Sequence, residues 1–165
     1  MLPKLHGEGV VRVVAFPVSR VLVFRLDGRR HALDASSVVE VLPALAVSPL
    51  PGQPAYVAGV IDLRGAIVPV IDLRTRFARS PRPMELSDRV VVAGARRRLV
   101  ALWVDDVEEI GELNEAAWAP AGGLVTGDRT LAGVVATAGG LTAIHDLDAF
   151  VAECEAEALY ESAAR

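Results

Sequence analysis

The run GVIDLRGAIVPVIDL, from Gly59 to Leu73, constrains this chain more than any other stretch. The tetrapeptide Val-Ile-Asp-Leu stands on both sides of the turn Leu63-Arg64-Gly65, at 60–63 and again at 70–73. Two short apolar runs joined by a glycine-containing turn read as a β-hairpin. Its tip carries an arginine, and loop tips are where a rigid scaffold places groups that act on other molecules. An ordinary hairpin with a solvated arginine is the competing account of the same residues.

The remaining pattern is also mostly β. Val21 to Leu26 runs into Asp27-Gly28, a hairpin signal, with a second strand expected near His31 to Leu33. Asp34 or Ser36 can cap one or two helical turns reaching toward Leu42. Ser48 to Tyr56 holds three prolines and reads as an irregular connection. Asp72 can start a single helical turn ending near Phe77. Arg79 to Ser87, polar and with two prolines, reads as an internal linker.

Beyond that linker, strands are expected over Arg89 to Ala93, Leu99 to Val104, Val107 to Leu113, Thr130 to Thr137 and Leu141 to Ile144. Gly122 to Asp128 reads as a loop, and Val10 to Phe16 as a strand with no visible partner. The period then changes. Leu147, Phe150, Val151, Cys154 and Ala158 recur at helical spacing, with Glu153, Glu155, Glu157 and Glu161 opposite them. Many short strands, few helices and a mid-chain linker suggest two small β-barrels or a sandwich.

Composition removes several functions. The 165 residues are 52% hydrophobic with a net charge of −4, which fits a well-packed soluble protein and not one whose main partner is nucleic acid. The basic run Arg96-Arg97-Arg98 falls at a hairpin turn. A single cysteine, Cys154, excludes an internal disulfide framework and a cysteine-rich zinc site, and its helical position reads as a small buried side chain. Val41 to Ile61 is uncharged enough to raise a membrane span, but prolines at 43, 49, 51 and 54 preclude a regular helix. Lys4, Glu8, Arg12 and Arg20 interrupt any signal-peptide core, so a cytoplasmic setting is expected.

Catalytic patterns are missing. His6, His31 and His145 lack metal-ligand spacing, so no metal and no cofactor are expected. There is no Gly-x-Ser-x-Gly elbow. The glycine loop at 122–127 lacks the Gly-Lys-Ser/Thr ending of a phosphate loop and meets Asp128. His145 and Asp146, as strand neighbours, point to opposite faces. Asp105-Asp106 and Glu108-Glu109 read as a solvated strand end. The chain is read as a non-enzyme.

The assembled pieces resemble the CheW family, the adaptors of bacterial chemotaxis. VLVFRLDGRRHALD is similar to the family's opening strand and turn, and Val38-Val39-Glu40-Val41 to its Val-x-Glu-Ile/Val element. Leu50 to Leu73 follows its Leu-Pro-x-x-Pro-x-Tyr/Phe segment and the Gly-Val-x-x-Leu-Arg-Gly-x-x-x-Pro-Val-x-Asp-Leu motif nearly letter for letter. Val104-Asp105-x-Val107 and the closing strand match more loosely, and the likeness spans Val21 to Ala152. Asp62 replaces the usual Asn before Leu-Arg-Gly, which could alter partner preference. His145 replaces a usual aliphatic residue, and residues 1–20 form an unexplained extension.

The resemblance implies a mainly β protein of two interleaved SH3-like five-stranded β-barrel lobes over residues 21–165, closed by a C-terminal α-helix. It implies a non-catalytic adaptor between the regulatory domain of a CheA-type histidine kinase and the cytoplasmic tip of methyl-accepting chemoreceptors. Carried over by position, Arg64 and Gly65 on the hairpin tip, with Glu40 and Val38, become the partner-binding residues. A coupling protein of pilus motility or development is the alternative within the family. Outside it stand a small-ligand barrel and a barrel that self-associates through its apolar faces.

Overall fold

The computed structural model describes residues 20–77, 79–113, 117–121, 129–137 and 139–163. The strand expected at Val10 to Phe16 and the loop at Gly122 to Asp128 lie outside these residues. The strands are β1 (Arg20–Leu26), β2 (Arg29–Asp34), β3 (Val38–Pro43), β4 (Val57–Leu63), β5 (Ala66–Asp72), β6 (Arg89–Ala95), β7 (Arg98–Val104), β8 (Asp106–Glu112), β9 (Trp118–Pro120), β10 (Leu131–Thr137) and β11 (Gly140–His145). The described residues also form two α-helices, α1 (Leu73–Arg76) and α2 (Leu147–Ala163).

The strands form two sheets, six strands in the order β8-β1-β2-β11-β10-β9 and five in the order β3-β6-β7-β5-β4. The protein is mainly β, as expected, in two lobes. Among the described residues neither sheet closes through a continuous ladder, and one lobe has six strands where five were expected. The lobes share a plan. Each has an outer strand, an antiparallel hairpin, a parallel contact to a second hairpin, and a short segment crossing the far edge. The parallel contacts are β2 with β11 and β5 with β7.

The lobes are nested along the chain. β3 to β7 form one contiguous block, and the other lobe is assembled from β1 and β2 before it and β8 to β11 after it. The expected linker at Arg79 to Ser87 therefore joins α1 to β6 inside the inner lobe and divides nothing. The chain passes between lobes at a 3-10 turn, Ala35–Ser37, and at Asp105. Asp34 caps the 3-10 turn by accepting from the Ser36 N–H at 2.9 Å. The helix expected to reach Leu42 stops after that one turn, because Val38 onward pairs with β6 and four of the next five residues are apolar or β-branched.

Three apolar clusters explain why the strands read as nearly unbroken hydrophobic runs. In β1, Val21 and Val23 point into the outer lobe, while Leu22, Phe24 and Leu26 point into the seam between lobes. In β6, Val90 and Val92 fill the inner lobe, while Val91, Ala93 and Ala95 enter the same seam. Sheets buried on both faces lose the polar alternation of a half-exposed strand. The helix α2 seals the seam with Leu147, Phe150 and Val151.

That helix is also held from α1. Arg76 lies over the rings of Tyr56 and Phe150, 5.4 and 5.7 Å from their centroids, and pairs with Glu153 at 3.5 Å and Glu157 at 3.3 Å. The Tyr56 hydroxyl donates to the Cys154 carbonyl at 3.2 Å. Burial pushes the Cys154 thiol up from its ordinary value, the state of a packing side chain and not of a nucleophile.

Gly59 marks where the inner lobe bends back on itself. Ser48 and Val60 exchange backbone hydrogen bonds at 2.9 Å, laying the β3–β4 connection across β4. A Cβ on Gly59 would run into the Ser48 carbonyl and lie 2.9 Å from the Pro49 Cα, at a φ of +147°. Gly133 repeats the device in the outer lobe against Trp118 and Ala119, and both glycines sit at register shifts. Gly59→Ala is expected to cost roughly 3 kcal/mol, read as a lower denaturant midpoint, since the obstacle is backbone and cannot rotate aside.

Candidate partner-binding site

The β4–β5 hairpin turns through Arg64 at φ +50° and Gly65 at φ +89°. Two positive φ values at the centre of a two-residue loop make the primed turn whose twist suits a hairpin. Gly65 adopts it freely; Arg64, with a Cβ, does so against its preference. Asp62 closes the turn by accepting the Gly65 N–H at 2.7 Å. Closing the turn in this way is a task that Asp and Asn side chains share.

Arg64 reaches from this tip to β3, where its guanidinium grips Glu40 in a two-pronged ion pair. The Arg64 side chain is 72% exposed and Glu40 is 26% exposed. The hydrogen bond to Glu40 and the charge of that carboxylate raise the guanidinium pKa still further, so the tip stays cationic at any working pH. β3 and β4 are the two outer strands of the inner lobe, and the pair ties them together where no backbone ladder does. Three of the four sequence-selected residues, Arg64, Glu40 and Gly65, therefore meet at one exposed corner. The space above Gly65 is open, with no atom within 4 Å of where a Cβ would stand.

Val38 falls elsewhere. It is half-buried and packs against the seam cluster, two residues before Glu40 and across a register shift from it. Exposed apolar residues not selected from the sequence lie on the same lobe. Val39 and Val41 take the outward positions of β3, and Ile67, 68% exposed, takes that of β5. The available signal was Val38-Val39-Glu40-Val41-Leu42, apolar at both parities except Glu40, which as a strand leaves valines on an outer face. Assigning a helix there conceals it.

Two of the carboxylates at 105–109, Asp105 and Glu108, depart from the solvated strand end expected of them, while Asp106 is exposed as expected. Asp105, at the crossing between lobes, accepts from Arg74 and from Arg82, the latter at 3.0 Å. Its other oxygen accepts the Asp27 N–H at 2.7 Å, and Arg74 stands 3.6 Å from Asp27. Arg82 continues the chain by a bidentate pair with Asp88, both bonds 2.7 Å, and Trp103 donates to Asp88 at 3.0 Å. Glu108 pairs with Arg25 and Arg30. Asp105 braces the two lobes and Glu108 braces the outer one; nothing in their arrangement poises either for proton transfer.

An exposed ion pair, exposed apolar side chains on the same lobe and bracing carboxylates suit a protein that works by contact. Among the described residues no group of three His, Cys, Asp or Glu side chains converges on a metal position, and no helix is long and apolar enough to cross a membrane. Residues 20–155 match the family model described as the CheW-like domain. This chain belongs to the CheW family, and is a non-catalytic adaptor of the chemotaxis type. It is 31% identical to the probable chemotaxis protein CheW of Rhizobium etli over 140 residues, covering 84% of this chain and 90% of that one. It is 31% identical to chemotaxis protein CheW of Klebsiella aerogenes over 118 residues, 72% of this chain and 67% of that one. The crystal structure of the scaffolding protein TtCheW from Thermoanaerobacter tengcongensis is similar, with a TM-score of 0.72 at 29% identity, covering 78% of this chain and 88% of that one.

Proposed function

We propose that this protein couples a CheA-type histidine kinase to the cytoplasmic tips of methyl-accepting chemoreceptors, and that the Arg64–Glu40 corner contacts the kinase's regulatory domain. The observation that carries the assignment of the contact is the corner itself, an exposed arginine in a strained backbone conformation paired to Glu40, on a lobe that also exposes Val39, Val41 and Ile67. Interface centres favour arginine and apolar anchors. Backbone strain held at an exposed tip is a pointer to function. The outer lobe offers an equivalent position, Leu141, 72% exposed just past the β10–β11 turn, so each lobe presents an apolar anchor next to its second hairpin. A bridging role needs two contact surfaces, and the nested lobes supply one each.

Binding of the purified chain to the kinase regulatory domain and, separately, to a receptor-tip fragment tests the reading. Both are expected to bind, and to bind together. A folded protein that binds neither overturns it; one that instead forms concentration-dependent oligomers would point to self-assembly.

A further inference from the structure

The outer lobe contains a feature that partner coupling does not use. His31 on β2 and His145 on β11 face the seam, and His31 Nδ1 lies 2.8 Å from His145 Nε2. Their rings stack, with centroids 5.1 Å apart. Phe24 stacks on His31 at 5.6 Å, and Phe77 stacks on both imidazoles, at 5.6 and 5.2 Å. Phe77 in turn meets Phe150 of α2 edge-on at 6.2 Å. An apolar cavity lined by Phe24, Phe77, His145, Leu147 and Phe150 adjoins the stack. One hydrogen-bonded histidine pair thus joins two parallel strands of the outer lobe to the segment after α1 and to the helix that seals the seam.

We propose that the His31–His145 pair is an acid-sensitive lock, and that proton uptake by it releases α2 from the seam between the lobes. A neutral pair needs complementary tautomers, one ring donating its N–H and the other accepting. A first proton fixes a cation among phenylalanines; a second leaves two donors aimed at each other with no lone pair between them. The charged surroundings oppose both steps. From β2 comes Arg29 and from the segment after α1 comes Arg79, both lowering the affinity of His31 for a proton. Other charged groups on the same elements have partners of their own. Arg25 of β1 pairs with Glu108, Arg74 with Asp105 and Arg76 with Glu153 and Glu157, and Asp146 caps α2 by accepting the Ala149 N–H at 3.1 Å. Burial, then these two arginines, lower the His31 value from 6.5 to about 4.

The direction follows from linkage. Between pH 6.5 and about 4 the released state binds the proton and the locked state does not, so the lock is fully stabilising above 6.5 and weakens as pH falls toward 4. Hydrogen exchange of the full chain, corrected for intrinsic rates, is the test. The α2 amides are expected to exchange roughly fortyfold faster at pH 4.5 than at pH 6.5, from one proton alone. The double variant His31→Phe with His145→Val is expected to keep its protection within about threefold over that range. Equal acceleration in wild type and variant overturns the proposal, as does unchanged α2 protection in wild type. Should the double variant not fold, the ring resonances of wild type decide. Movement of the His31 ring signals near pH 4, with the His145 signals changing in step, upholds the lock, and titration of His31 near 6.5 overturns it.

Discussion

Arg64→Glu is expected to weaken binding to the kinase regulatory domain by about thirtyfold or more, the loss typical of truncating or reversing a central interface arginine. The melting temperature is expected to stay within a degree or two, because an exposed ion pair contributes little to folding. The charge reversal sets a second carboxylate against Glu40, so repulsion at the corner adds to the lost contact. Glu40→Arg in the same chain restores the internal pair with its sense inverted. If the double reversal regains folded geometry but not binding, the partner reads the arginine itself; if binding returns, the pair's geometry is what matters. A collapse of stability in the single variant would show that Arg64 serves the fold and not the contact.

The second large effect concerns a carboxylate with almost no exposure. Asp88 has a side chain 1% exposed and accepts two bonds from Arg82, one from the Trp103 indole and one from the Glu85 N–H. Burial alone would raise its pKa, yet the bonds from Arg82, the Glu85 backbone and Trp103 outweigh it and hold the carboxyl below its ordinary value of 3.8. Asp88→Ala leaves a guanidinium, an indole and an amide without their acceptor. The expected cost is about 3–5 kcal/mol, measured as a shift in denaturant midpoint. A loss under about 1 kcal/mol would mean that water or a rearranged loop replaces the carboxylate. The pH windows of the two buried systems differ. A carboxylate with a lowered value contributes fully above 3.8 and loses that contribution only below it, whereas the histidine lock fades from 6.5 downward. Acid unfolding of wild type should therefore proceed in two separable stages.

Much of this was legible in the residues. The Val-Ile-Asp-Leu repeat fixed the β4–β5 hairpin and its arginine tip, Asp27-Gly28 fixed the first hairpin, and the spacing from Leu147 to Cys154 fixed the sealing helix. These signals are local, and local signals survive without a partner in view. The missing parts depend on residues far apart in the chain. The pairing of Arg64 with Glu40 spans 24 positions, and that of His31 with His145 spans 114. The nesting of one lobe inside the other left no local trace, because the prolines at 81 and 83 look like a boundary and instead sit within the Arg82–Asp88 brace. The role of Asp105 is hidden for the same reason: its two arginine partners arrive from 31 and 23 residues away.

The nesting also sets an order of events at the ribosome. The inner lobe is complete in sequence once Val104 has emerged, so its sheet can close while the outer lobe is still only the β1–β2 hairpin. A lone hairpin is marginal in water, and β1 must wait for β8, some eighty residues later, to gain its other neighbour. Had both halves of the outer lobe been left to find each other across a floppy intervening chain, closing that loop would carry a large entropic penalty. The already folded inner lobe removes it by delivering Asp105 next to Arg25, whose carbonyl accepts the Asp105 N–H at 3.0 Å, at the point where the chain re-enters. Synthesis in the opposite direction would meet the same obstacle from the other side; the inserted lobe works as a template whichever flank arrives first.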